Sequence, residues 1–322
     1  MRNALARRRR RVHPAVVLST SAPRPRNPGP WWGFWFLQQA DHWLPRWLFR
    51  AALMLGTWVA LAFMGAPRRQ SREYLSLVLG RPARLLEVWR HFLAFADFLM
   101  VKLRVARGVP HHCRLDPAHG PAFDALVDSG RPALFGTFHF GDSDLLGFLL
   151  GDRVRHLAMI RQQVGNSNDT RWLGRLFGQR VSFIWVNDPG RLPFSLKEAV
   201  EAGHSLAMQC DRLEFSSKSE PFHFLGRTRL FPFTIYHLAL LFDRPVVFCV
   251  GVPESDAATL VVASPVFTPD GAGRDANLQR ACVHFQAVLT QLETLVRQHP
   301  LLWFNFLPLN PEPGPPTPAT LP

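Results

Sequence analysis

Residues 135–150 read FGTFHFGDSDLLGFLL, and the rest of the chain is interpreted outward from them. One apolar run ends at His139, a second begins after Asp144, and Gly141, Asp142 and Ser143 lie between them. This order predicts a strand feeding a helix through a tight turn, with Asp142 or Ser143 as the helix N-cap. In an unbroken helix, five steps of about 100° would leave His139 and Asp144 about 140° apart, so the turn is required to bring them together. With the turn in place, Asp144 holds one imidazole nitrogen and the other faces a substrate hydroxyl. A paired carboxylate fixes the tautomer and stabilises the imidazolium, which a histidine general base needs near neutral pH.

The same residues admit other readings. The pair can be purely structural, a capped loop with a hydrogen bond. His139, Asp142 and Asp144 are an unselective metal set with no supporting His or Cys cluster at ligand spacing, so no metal is expected. Gly141, Asp142 and Ser143 also begin like the GDS block of lipolytic serine hydrolases, which would make Ser143 a nucleophile. That block normally precedes its Asp-x-x-His, whereas here the one such spacing, Asp116 to His119, comes before the serine.

From Pro132 onward, short apolar runs alternate with helical patterns, the signature of an α/β sheet. Strands are expected at 133–138, 156–160, 181–186, 205–209, 222–225 and 246–252. Helices are expected at 144–150, 170–177, 192–202, 234–242 and 276–298, with a long, mostly buried helix at 85–107 whose narrow polar stripe is Glu87, Arg90, His91 and Asp97. His139, Arg161 and Asp211 each fall just past the end of an expected strand, where open α/β sheets gather their ligands. Arg161 there suits an oxyanion or a headgroup phosphate, and a polar loop with Asn166, Asn168 and Asp169 suits the acceptor side. His111 and His112 lack partners at useful spacing and are read as surface residues.

At 322 residues and 47% apolar, the chain can bury one full core. The formal charge is +13, but eight arginines and no acid lie in residues 1–40, so the tail rather than the fold makes the chain basic. Most basic residues are arginine and no nucleic-acid-binding motif accompanies them, so no nucleic-acid partner is expected. Cys113, Cys210, Cys249 and Cys282 show no paired spacing and read as reduced residues of a cytoplasmic protein.

Four divisions follow. Residues 1–30, with Arg7 to Arg11 and the prolines Pro23, Pro25, Pro28 and Pro30, form a basic tail unable to build a core and unlike a signal peptide. Residues 31–66 carry six tryptophans and a 16-residue uncharged apolar run at 51–66, short for a span of about 20 and suited to the membrane interface. Residues 67–308 form the main domain, and 309–322 are a Pro-rich C-terminal tail.

Seven blocks follow one another along the chain: WWGFW at 31–35, HFGDSD at 139–144, MIR at 159–161, GHSLAMQCDR at 203–212, FHFLGRTRLFPFTIYHLA at 222–239, PVVFCVG at 245–251 and HPLLWFNF at 299–306. In this order they resemble the bacterial lipid A biosynthesis (lauroyl/myristoyl) acyltransferase family, within the lysophospholipid acyltransferase group that shares a His-x4-Asp/Glu signature. The chain departs from the commonest lipid A enzymes in having Asp144 where they carry Glu, and in the non-basic ending WFNFLP. The resemblance implies a glycerolipid acyltransferase-like α/β fold: a single domain with a central, mostly parallel or mixed sheet flanked by helices, preceded by an N-terminal membrane-associated helical segment. It also implies transfer of a fatty acyl group from an acyl carrier protein or acyl-CoA thioester to a hydroxyl of a lipid or glycolipid. The expected place of work is the cytoplasmic face of the bacterial inner membrane. His139 would be the base and Asp144 its orienting partner. Arg161 and backbone N–H groups near Gly141 would steady the oxyanion. Asn168, Asp211 and Arg212 would complete the substrate site. No cofactor is expected.

Overall fold

The computed structural model describes residues 31–309 apart from 119, 150–152, 155, 163–173, 175, 176, 179, 215 and 217. Four helices come first: α1 (Trp31–Trp43), α2 (Arg46–Phe63), α3 (Gly65–Leu79) and α4 (Leu85–Val105). There follow β1 (His112–Leu115), α5 (Gly120–Asp128), β2 (Leu134–Thr137), α6 (Ser143–Leu149), β3 (Leu157–Arg161), β4 (Val181–Trp185), α7 (Leu192–Glu201) and β5 (Ser205–Gln209). The chain continues through β6 (Ser219–Phe224), β7 (Arg227–Pro232), α8 (Thr234–Phe242), β8 (Val246–Ser255), β9 (Ala258–Ala263) and α9 (Arg274–Gln298).

The expected α/β architecture is present, with a mixed seven-stranded sheet in the order β1-β9-β8-β2-β5-β3-β4. The run β8, β2, β5, β3, β4 is wholly parallel. Strand β9 returns antiparallel on β8, and β1 pairs with β9 in parallel. The carboxyl ends of β2, β3 and β5 therefore lie side by side, which brings the segments after Thr137, Arg161 and Gln209 to one edge. The helix expected at 170–177 falls largely outside the described residues. Residues 222–225 form one arm of a hairpin, β6–β7, separate from the main sheet. Leu225 and Gly226 both have positive φ (49° and 74°), as a two-residue turn with right-handed strand twist requires.

The sheet is covered on both faces. On one, Phe285 of α9 packs on Phe248 of β8, Tyr236 of α8 and the hairpin phenylalanines Phe222 and Phe231. Glu293 of α9 accepts the N–H of Leu225 at 2.7 Å, and Gln286 bonds both backbone groups of His223, which clamps the hairpin to the helix. On the other, Phe98 of α4 and Phe148 of α6 pack with Leu157, Val181 and Phe304. Full burial of each aromatic ring contributes about 1.5–3 kcal/mol against exposure.

The apolar run at 51–66 is divided between two helices: α2 stops at Phe63, Met64 takes φ −93° and ψ 67°, and α3 starts at Gly65. One expectation about the helical half changes. His91 was placed on the polar stripe of α4, yet it is fully buried, with its ring nitrogens engaged by Ser71 Oγ at 2.8 Å and the Trp303 carbonyl at 3.1 Å. Tertiary partners on α3 and the 299–306 segment make this polar position an interior one. Helices α1 and α2 are docked on α4: Trp58 stacks on Trp89, Arg50 pairs with Asp97, and Arg104 forks onto Asp41 at 2.7 and 3.1 Å.

Candidate active site

Strand β2 delivers His139, and the turn after it is locked from several sides. Gly141 has φ 48°, and a Cβ there would sit 2.2 Å from the Gly251 carbonyl, so only glycine lets the turn lie against β8. Ser143 Oγ accepts the Gly251 N–H at 2.9 Å and donates to the Phe140 carbonyl. Asp142 sits at the N-terminus of α6, but its carboxylate accepts the Thr259 hydroxyl at 2.6 Å instead of a helix N–H. Burial pushes the Asp142 carboxyl up to about 6. Thr259 in turn meets His111 Nε2 at 2.8 Å, so His111 is a half-buried partner of this loop rather than a free surface residue.

The imidazole of His139 is held by Asp211, not by Asp144. Nδ1–H of His139 donates to Asp211 Oδ1 at 2.7 Å, and the backbone N–H of His139 donates to Oδ2 at 2.9 Å. Trp303 Nε1–H donates to the same Oδ2 at 3.0 Å. The Asp211 side chain is fully buried. Burial raises its pKa, but the charge-assisted bonds from His139 outweigh this and hold the carboxyl well below the usual range. The His139 pKa is lowered, first by burial and then by the Arg212 guanidinium. The working state is therefore a neutral imidazole on an ionised carboxylate. With Nδ1 taken, Nε2 carries the lone pair available to a substrate proton.

Asp144 serves a different pair. Lys102 Nζ donates to it at 2.6 Å, and Arg161 reaches its two oxygens at 3.0 and 3.1 Å. Burial raises the Asp144 pKa, while Arg161 and Lys102 together hold it far below the usual carboxylate value. Asp144 acts on His139 only through space, favouring its protonated form. The expected role of Asp144 is corrected for a physical reason. Both cations lie inside the fold, 7% and 18% exposed, and claim the carboxylate more strongly than a neutral imidazole would.

The remaining assignments divide. Arg161 is where it was expected, and its Nη1 is buried with no hydrogen-bond partner among the described residues. Arg212 Nη2 bonds the Phe304 carbonyl at 3.3 Å, beside the Asp211–Trp303 contact. Asn166, Asn168 and Asp169 lie outside the described residues. The Gly141 N–H donates to the Leu302 carbonyl at 2.8 Å, and the N–H groups of Asp142 and Ser143 are also spent on backbone carbonyls. These amides cannot form the expected oxyanion hole, because closing the turn consumes them. Neither bond of Ser143 goes to a histidine, and the residue is 2% exposed, so it is built into the turn rather than set up as a nucleophile.

Two residues gained importance only in three dimensions. Lys102 lies on the inner face of α4, and Trp303 carries no charge, so neither offers a local signal of its role. The Trp303 segment is tied down by His91 and by the Tyr74 hydroxyl, which donates to the Pro300 carbonyl at 2.8 Å. Burial lowers the His91 pKa to about 4, keeping the ring neutral so that one nitrogen can accept and the other donate.

Compared with known proteins, the chain matches no family model and no curated sequence.

Beside the Asp144–Arg161 pair opens a cleft lined by Phe135, Leu146, Gly147, Leu157, Met159 and Thr137. Its free volume is about 60 Å³, so it is narrow as well as apolar. The described residues contain no group of three or more metal-ligating side chains.

Proposed function

We propose that this chain is an O-acyltransferase that moves a fatty acyl group from an acyl thioester, carried by acyl carrier protein or CoA, to a hydroxyl of a lipid or glycolipid. The observation that carries the reading is a neutral His139, anchored by an ionised Asp211 and within electrostatic reach of Asp144, which with Arg161 forms the polar edge of a narrow apolar cleft. His139 Nε2 takes the acceptor proton as the oxygen attacks the thioester carbonyl. The tetrahedral oxyanion then collapses, the C–S bond breaks, and the imidazolium returns the proton to the leaving thiolate, giving an ester and a free thiol. Arg161, restrained by Asp144 and with Nη1 unengaged, supplies the positive charge that the oxyanion or an acceptor phosphate needs. The cleft suits an alkyl chain, since its lining is apolar and its width excludes bulkier groups. Asp211 takes the orienting role first expected of Asp144, and Asp144 sets the Lys102–Arg161 charge beside it.

The resemblance to lipid A biosynthesis acyltransferases and the glycerolipid acyltransferase-like sheet belong to the same proposal, as does work at the cytoplasmic face of an inner membrane. Among the described residues, α2 is the one helix long and apolar enough to cross a bilayer by length and composition, and only 17% of it is buried in the protein. We read it as lying in the interface, the N-terminal membrane-associated segment of the enzyme. The test is thiol release from acyl-CoA and acyl carrier protein donors, with and without a total lipid extract as acceptor. Release that requires acceptor, with matching growth of an acylated lipid by mass spectrometry, supports transfer. Release at the same rate without acceptor makes the protein a hydrolase.

A further inference from the structure

We infer that the bend between α2 and α3 is a docking site for the phosphates of anionic phospholipids in a bilayer. Arg68, Arg69 and Arg72 line one groove of about 530 Å³ together with Gly65, Leu85 and Val88. All three arginines are exposed, and none pairs with a carboxylate among the described residues. Arg68 spends one N–H on the Leu61 carbonyl and Arg72 one on the Ala83 carbonyl, both at 3.2 Å. Each guanidinium has five N–H donors, so these bonds fix the side chains at the groove while most donors stay available for phosphate oxygens. Residues 46–90 hold eight arginines against only Glu73 and Glu87, and Glu87 is already taken by Arg81. The groove is thus a concentrated positive site without internal neutralisation.

The adjoining surface says what the ligand is attached to. The outward face of α2 is uncharged and uncovered from Trp47, through Leu55 and Val59, to Phe63, which is 86% exposed. Two residues beyond Phe63 the groove begins at Gly65, and Leu85 and Leu86 add exposed apolar surface on its far side. Apolar side chains that end at a row of arginines match a bilayer edge, where acyl chains give way to phosphates. A soluble anion would use the arginines and leave the apolar face unexplained. A second copy of this chain would bring the same positive groove against itself.

This inference deepens the proposed membrane association, and flotation needs neither donor nor acceptor, so its failure and that of the acyl-transfer reading are separately visible. The full chain is floated with phosphatidylcholine vesicles, with and without phosphatidylglycerol, at low and high salt. One variant is Arg68→Gln/Arg69→Gln/Arg72→Gln. Its control, Arg191→Gln/Arg227→Gln/Arg274→Gln, removes the same charge from exposed sites elsewhere. At about fivefold per arginine near an anionic surface, the groove variant should lose about a hundredfold in partition to the anionic vesicles. Its residual binding should match the wild type on pure phosphatidylcholine and on anionic vesicles at high salt, where exposed charges are screened. The control variant should lose less than about threefold. Unchanged flotation of the groove variant at an unchanged melting temperature overturns the inference. So does an equal loss in the control, which would reduce the effect to net charge. So does a wild-type chain that is a stable dimer and floats with neither vesicle.

Discussion

Exchanging Asp211 for asparagine removes the charge behind His139 while keeping the shape of the side chain. In the native site one carboxylate oxygen accepts Nδ1–H of His139, and the other accepts both the His139 backbone N–H and the Trp303 indole. An asparagine can serve the second oxygen's donors with its carbonyl, but its NH2 must then face Nδ1. That reverses the imidazole tautomer and puts the proton on Nε2, where the lone pair is needed. Loss of a correctly poised general base costs about 10²- to 10⁴-fold, so kcat should fall about a thousandfold, with KM within about threefold. Asp144→Asn is the comparison. It strips the counter-charge from Lys102 and Arg161, and leaving buried cations uncompensated costs about 3–5 kcal/mol. The melting temperature should drop by roughly 5–8 °C, with a smaller effect on turnover of the folded fraction. Steady-state kinetics and thermal melts on both variants decide the matter. If Asp144→Asn abolishes turnover at an unchanged melting temperature and Asp211→Asn keeps activity within about threefold, the pairing described here is wrong.

Other outcomes follow from the same geometry. Ser143→Ala should keep its rate and form no acyl adduct by mass spectrometry, while losing about 1–3 kcal/mol of stability because the Gly251 N–H is left without its acceptor. A side chain at Gly147 would meet Met159 at 2.9 Å and Leu157 at 3.3 Å, so Gly147→Val should shift donor preference toward shorter acyl chains by about tenfold or more in a mixed-donor competition. An unchanged product distribution would remove the cleft from the acyl path. The lowered pKa of His139 means that the base stays deprotonated below its usual midpoint, so the acid limb of kcat/KM should lie below pH 6.5. His91, held near 4 in the fold and at 6.5 when unfolded, contributes full stability above pH 6.5. About 3 kcal/mol of that is lost as pH falls from 6.5 to 4, because only the unfolded chain then binds the proton. Urea unfolding across this range should show a shallower pH dependence in His91→Gln.

The sheet was legible because its signals are local: apolar runs of strand length separated by helical patterns, with polar residues at the strand ends. Strands β1, β7 and β9 were not anticipated. The first has only four residues, of which two are His112 and Arg114, and β7 carries Arg227 and Arg229; β9, Ala-Thr-Leu-Val-Val-Ala, is an apolar run of strand length that went unassigned. The placing of His139 at a strand end was legible for the same local reason, since the turn at 140–143 can be read from Gly141, Asp142 and Ser143. Its pairing was not. The strand ends put Asp211 on the same sheet edge as His139, but local spacing favoured Asp144 for the imidazole, whereas Asp211 arrives from β5, 72 residues later, through the parallel pairing of β2 and β5. Which of the side chains gathered at one sheet edge meet one another is set by strand order and register, which the spacing along the chain does not report. His91 shows the converse. Its helical position marks it as polar, and only Ser71 and the Trp303 carbonyl make it interior. The expected oxyanion amides failed on accounting, since every N–H in a turn this tight is needed to close it.

The most direct test of the account is the rate of acyl ester formation by His139→Ala beside the wild type, with purified protein, a long-chain acyl thioester and a lipid hydroxyl acceptor in detergent. His139 lies at a strand end with 19% of its side chain exposed, so the variant should melt near the wild type. Its rate should fall by about 10²- to 10⁴-fold, with the loss in kcat. A folded His139→Ala protein that forms the ester within about threefold of the wild-type rate would contradict the assignment of His139 as the general base.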